Sequence, residues 1–218
     1  MTIFSRPFAL LAMLAIFVLA GLVGGAQNPF DIAVSDAMVE FRHRWPELTS
    51  LAAIVTQVGS VYSTLGLGLL AATVIGLRGR RGAALLLAAT VVLERLSVDG
   101  LKLAIGRPRP DLDLPFMPAS ASFPSGHSAN SMAVFVAIAL IAAPPPWRRV
   151  ALTVAIGASI VVGLTRVVLG VHWPTDVIGG WAWGLLAVGL ALLAVRRSAM
   201  VEAQHNIVGR HLPPVRED

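Results

Sequence analysis

The sequence contains no cysteine, a single tyrosine and a single lysine, Lys102, and only 13% of its 218 residues are charged. The missing cysteine excludes disulfides and thiolate metal sites, and leaves the redox compartment open. The shortage of charge excludes an ordinary soluble domain, in which about 25% of residues are charged. What is present instead is apolar: 56% of the residues are hydrophobic, and the mean hydropathy is +0.76. These residues come in blocks long enough to cross a bilayer, which takes ~20 residues as helix. The blocks are continuous rather than alternating, so spanning strands do not fit, and a spanning helix satisfies its own backbone. The formal net charge of +5 raises the question of nucleic acid. The basic residues, however, sit in short clusters at the ends of apolar blocks, where the reading as membrane-topology signals is stronger.

The expected fold is all-α, a polytopic membrane protein with six transmembrane helices in a bundle. The spans run roughly over residues 7–24, 51–77, 82–105, 127–143, 150–170 and 174–195. They make up one membrane domain, residues 1–197, and a polar tail, 198–218, reads as disordered and cytoplasmic. His205 and His211 lie in that tail and read as solvent-exposed. Arg6, Arg78, Arg80, Arg81, Arg148, Arg149, Arg196 and Arg197 fall on one side of the six-span layout. By the positive-inside rule that side is cytoplasmic and holds both termini. Loops 26–50 and 106–126 and the turn 170–174 lie on the other side. The first span also fits a cleaved signal peptide, although its apolar run is long for one. Within the first outer loop, "FDIAVSDAMVEFRHRW" sets Ile32, Met38, Val39, Phe41 and Trp45 among charges. That pattern suits a helix in the outer interface, or a plain amphipathic loop helix.

Ionisable residues in or beside spans are costly, ~2.5–3.5 kcal/mol each at mid-bilayer on insertion scales, which makes each one a candidate for function. Three groups stand out, and the topology puts all of them at outer helix ends. In "KLAIGRPRP", Lys102 closes span three and Arg107 and Arg109 follow, with Pro108 and Pro110 stiffening the exit. In "FPSGHS", Ser125 and Gly126 stand where span four begins and His127 projects from its first turn. A helix N-terminus offers unpaired N–H groups and the positive dipole end to an anion. In "TRVVLGVHWPTD", Arg166 ends span five, His172 sits in the turn, and Asp176 lies in the first turn of span six, within reach of His172. A carboxylate bonded to one imidazole nitrogen fixes the tautomer and leaves the other nitrogen free as a nucleophile. The bland readings are snorkelling cations, a serine N-cap and a helix-dipole carboxylate. Glu94, Arg95 and Asp99 add charge inside span three; an Arg95–Asp99 salt bridge four residues apart is the simplest reading.

Taken together, these are several permanent cations, a helix N-terminus, two histidines and one orienting carboxylate. That is equipment for phosphoryl transfer, in which cations and N–H groups hold the phosphate oxygens, one histidine attacks and the other protonates the leaving oxygen. The surrounding cations argue against a metal dication in the same place.

The residues resemble the type 2 phosphatidic acid phosphatase family, membrane lipid phosphatases that share a fold core with vanadium haloperoxidases. The family signature is K-x6-RP, then PSGH, then SR-x5-H-x3-D. Here it reads Lys102 to Arg109-Pro110, Pro124-Ser125-Gly126-His127, and Arg166, His172 and Asp176 at the same spacing, with Thr165 in place of the serine. The spacing puts Arg109 at the family position and leaves Arg107 as an extra cation, a head-group contact or part of a rigid exit. The resemblance implies His172 as the nucleophile forming a phosphohistidine, with Asp176 orienting it. It implies Lys102, Arg109, Arg166 and the N–H groups of Ser125 and Gly126 as the phosphate site, and His127 as general acid and then base. It implies no cofactor and no metal. The expected partners are a phosphorylated membrane lipid and the phospholipid bilayer, with no nucleic acid, and the oligomeric state is open. The expected setting is a bacterial inner membrane with the site at the outer face. Competing readings are a lipid phosphotransferase using the same histidine and a phosphate-binding transporter. Transporters tend to break their helices at mid-membrane, whereas these clusters lie at helix ends.

Overall fold

The computed structural model describes residues 6–110 and 119–211, with side chains as far as residue 196. Among these residues the chain is all-helical, and the elements follow the punctuation of the sequence. α1 (Pro7–Val23) and α2 (Pro29–Arg44) each start on a proline at the first helical position, where the missing N–H costs nothing. Asn28 caps α2 by accepting from the N–H groups of Phe30 and Asp31 at 2.9 and 3.1 Å. α3 (Pro46–Val55) and α4 (Val61–Leu77) follow, then α5 (Arg81–Ile105), which ends at a left-handed glycine, Gly106. α6 (Gly126–Ile141), α7 (Arg148–Val168) and α8 (Pro174–His211) complete the chain.

Two expectations need correcting. Span 51–77 is not one helix. A 3₁₀ turn over Thr56–Gly59 separates α3 from α4, which are bent by 40°. Gly59 packs so closely on Val162 of α7 that a side chain there would collide, and Ser60 recaps α4 by accepting from the N–H of Ser63 at 3.2 Å. α8, the helix of the last expected span, also runs on to His211, where the sequence reads as disordered from residue 198. The stretch "SAMVEAQHNIVG" has no proline and many good helix formers, so nothing local stops the helix. Residues 212–218 lie outside the described residues, as do 111–118 of the second outer loop.

α6 is the hub of the bundle, packed against α4, α5, α7 and α8. Most of its residues are buried, as expected for a helix that is apolar all round. Where every solvent is apolar, helices associate through close packing of small residues. Here Gly180 and Gly184 of α8 sit against the α6 backbone; a Cβ on Gly184 would stand 2.6 Å from the Ala129 carbonyl oxygen. Residues 145–168 and 174–196 are each long and apolar enough to cross a membrane, and the bent α3–α4 pair passes as a third such element. α1 and α6 are shorter apolar helices. α5 is 25 residues long and carries Glu94, Arg95, Asp99 and Lys102.

Candidate active site

One end of the bundle gathers the last turns of α5 and α7 and the first turns of α6 and α8. Between α7 and α8 the chain turns at Gly170, whose φ of 70° is a conformation few side chains tolerate. This turn presents His172, and Asp176 lies one helical turn into α8. One carboxylate oxygen of Asp176, Oδ2, accepts from the Trp173 N–H at 2.9 Å, a side chain reaching back over its own helix start. The same oxygen lies 3.3 Å from Nδ1 of His172. Both residues are buried. On the other side of the ring, Nη1 of Arg109 lies 3.3 Å from Nε2. A guanidinium only donates and a carboxylate only accepts, so these partners assign the proton to Nδ1 and leave the lone pair on Nε2. Burial, followed by the charges of Arg109, Arg166 and Lys102, holds the imidazole well below its ordinary pKa. Burial also draws the Arg109 guanidinium below its usual value, with Asp176 acting in the opposite direction.

The cations are held before any anion arrives. Lys102 donates to the carbonyl oxygens of Ala121 and Ser122. Arg109 donates to the Ser120 carbonyl at 2.9 Å and to the Ser120 hydroxyl at 3.2 Å. Arg166 is buried and donates from Nη1 to the Thr56 hydroxyl at 3.0 Å, while its Nε finds no partner among the described residues. Lys102, Arg109, Arg166, Gly126, His127 and His172 together line a cleft of about 240 Å³, joined by Ser120, Arg95, Asp99 and Val61. A larger groove of about 450 Å³ lies between α5 and α8, lined mainly by apolar side chains, with Thr90, Glu94 and Ser97 among them. Of the two, the smaller cleft is the one that combines cations with two imidazoles. Among the described residues no set of three His, Asp or Glu side chains converges as a metal site would require.

Seven of the eight expected site residues thus come together. Ser125 is the exception. It is fully buried against α8, and its N–H, expected to face an anion, donates to the Asp176 carbonyl at 3.0 Å. Its hydroxyl accepts from Ser128 at 3.1 Å. A buried N–H has to find a partner within the protein, and here it ties α6 to α8. Arg95 pairs with Asp99 as expected. Sequence reasoning missed Thr56 and Ser120, ordinary polar residues with no local signature, and left Arg107 undecided. Arg107 does not face the cleft; it donates to Oδ1 of Asp176 at 2.7 Å.

Residues 83–200 match the PAP2 superfamily. Phosphatidylglycerophosphatase B of Bacillus subtilis is 32% identical over 186 residues, covering 83% of this chain and 90% of that protein. Lipid A 1-phosphatase of Rhizobium johnstonii is 46% identical over 105 residues, 44% of this chain and 41% of that protein. The chain therefore spans less than half the length of that second relative. The crystal structure of a transmembrane PAP2-type phosphatidylglycerolphosphate phosphatase from Bacillus subtilis superposes with a TM-score of 0.77 at 29% identity. The superposition covers 86% of this chain and 96% of that one.

Proposed function

The chain belongs to the PAP2 superfamily, and from that premise we propose that it is an integral-membrane lipid phosphatase working through a phosphohistidine. The observation that carries this reading is the state of His172: Nδ1 faces Asp176 while Nε2 opens onto a cationic cleft. In the proposed reaction Nε2 attacks phosphorus, and the bond from phosphorus to the lipid oxygen breaks. His127 gives its proton to that oxygen. It then takes a proton from water, whose oxygen attacks phosphorus; the P–N bond breaks and phosphate and free His172 are released. Lys102, Arg109, Arg166 and the α6 N-terminus at Gly126 neutralise the equatorial oxygens, which is where most of the catalysis of such transfers resides. These cations supply the charge that a divalent ion would otherwise bring, so the proposed chemistry is metal-independent.

The proposed substrates are phosphatidic acid-like lipids, phosphatidylglycerol phosphate or undecaprenyl diphosphate. We place the protein in a bacterial inner membrane with six spans, both termini cytoplasmic and the cleft at the outer face. The distribution of arginines supports this orientation, as does the clustering of all site residues at one end of the helices. The test is phosphate release by the purified protein and by His172→Ala, on those three lipids, in EDTA. Release by the wild type, lost in the variant, is expected. Undiminished release by His172→Ala refutes the nucleophile, and loss of wild-type activity in EDTA refutes the metal-free mechanism.

A further inference from the structure

Arg107 lies five residues beyond Lys102, in the exit from α5, yet its side chain turns away from the cleft and is buried. Nη1 donates to Oδ1 of Asp176 at 2.7 Å and to the Thr175 hydroxyl at 3.1 Å. Nη2 donates to the carbonyl oxygens of Ala20 and Gly21, at the end of α1, both at 2.7 Å. The guanidinium lies over the Phe123 ring, 4.3 Å from its centre. Both of its terminal nitrogens are thus occupied within the protein, and no phosphate can approach it without unmaking these bonds.

The second layer is Asp31 of α2, fully buried. Its oxygens accept from the Thr175 N–H at 3.0 Å, the Thr175 hydroxyl at 2.6 Å and the Gly25 N–H at 2.6 Å. The Thr175 hydroxyl therefore donates to Asp31 and accepts from Arg107, which fixes its single proton. Gly24 stands where this cluster is tightest: a Cβ there would come within 2.7 Å of Nη1 of Arg107. The result is a continuous chain of charge-assisted bonds, Asp31 to Thr175 to Arg107 to Asp176, ending on Nδ1 of His172. α1 and α2 lie before the stretch that matches the family, so that part of the chain completes the support of the site.

We infer that Arg107 is a positioning residue: held by α1, and through Thr175 by Asp31 of α2, it keeps Asp176 aimed at His172, and acts on catalysis only through that carboxylate. This rests on the phosphatase reading above. Residues that orient a reacting group in this way typically change activity about ten- to a hundredfold when removed. A residue acting through one partner shows its effect only while that partner is intact.

The test is a double-mutant cycle on the full chain in detergent, with Arg107→Met, Asp176→Asn and both together, read as kcat and KM for phosphate release from phosphatidate. Expected are a kcat about ten- to a hundredfold lower for Arg107→Met, a KM unchanged within about twofold, and little further loss when Arg107→Met is added to Asp176→Asn. A raised KM with kcat intact would mean that Arg107 contacts substrate and overturns the inference. So do losses that multiply in the double variant. Thr175→Val and Asp31→Asn give a second route should Arg107→Met not fold: each lowers kcat in the wild-type background and not in Asp176→Asn, and multiplied losses again overturn the inference. Nitrogen-15 NMR of the histidine ring separates this inference from the phosphatase reading, because it needs no turnover. The Nδ1–H signature of His172 is expected in the wild type and lost or averaged in Arg107→Met; an unchanged spectrum overturns the positioning role even if no lipid is hydrolysed.

Discussion

Arg109 and His172 face each other across 3.3 Å, guanidinium nitrogen to Nε2, on the side of the ring opposite Asp176. Burial favours the neutral imidazole, and a cation at that place favours it further. The proposed nucleophile is therefore already in its reactive form in mildly acidic solution. The expected kcat/KM profile shows no loss from His172 on going down through pH 6.5, the ordinary histidine value, and an acid limb well below it. The sign for stability follows from the same shift. The unfolded chain takes up a proton on this histidine near pH ~6.5 and the folded chain does not, so this contribution to stability is lost as pH falls below that value. An acid limb in kcat/KM centred at or above pH 6.5 contradicts this account.

Arg166 reaches the cleft with Nη1 on Thr56 and Nε without a partner among the described residues. Arg166→Ala removes one preorganised donor, and the expected loss in kcat/KM is about 10²–10³-fold. Thr56→Val removes only the hydroxyl that steadies the arginine, and should cost less, about ten- to a hundredfold, in keeping with a supporting contact. Steady-state kinetics of the two variants check the order; a larger loss for Thr56→Val contradicts it.

Ser125→Ala keeps the N–H that donates to the Asp176 carbonyl and loses only the hydroxyl that accepts from Ser128. The expected cost is about 1 kcal/mol of stability, with most of the activity retained. His127→Ala removes the proposed proton donor, and its expected loss is about 10²–10⁴-fold in kcat. Phosphate release by the two variants side by side decides whether the serine acts through chemistry or through packing.

Gly184→Val places a branched side chain against the α6 backbone, where a Cβ would stand 2.6 Å from the Ala129 carbonyl oxygen and 3.0 Å from the Ala133 nitrogen. Neither atom can give way without moving α6. The expected destabilisation is about 1–3 kcal/mol or more, measured as a lowered melting temperature in detergent. Gly157→Val, where no atom lies within 4 Å of the added Cβ, is the control that should melt near the wild type.

What the sequence shows plainly is whatever is local. The ends of α5 and α6 fall within two residues of the expected spans because Gly106 closes the first and Pro124-Ser125-Gly126 opens the second. The three motifs are legible because each lies within a short stretch at one helix end. The break at Thr56–Gly59 does not read, since Thr, Gln and Gly are tolerated inside a helix and the close approach of Val162 decides the matter. Arg107 does not read either: its carboxylate partner is 69 residues away, and Asp31 meets Thr175 across 144. No spacing rule spans such distances. The direction of the Ser125 N–H does not read for a related reason, because a helix start looks the same in sequence whether it faces a cleft or a neighbouring helix.

Asp176 has one further property. Its side chain serves His172 and Arg107, while its backbone oxygen receives the N–H of Ser125 and so joins α8 to α6. Chemistry and architecture meet in one residue, through different atoms. Asparagine at this position keeps the backbone joint and alters only the charge, whereas proline or a deletion disturbs the joint as well. A survey that ranks positions by lost activity alone would score all of these alike, and only the comparison among replacements tells a missing charge from a misaligned pair of helices.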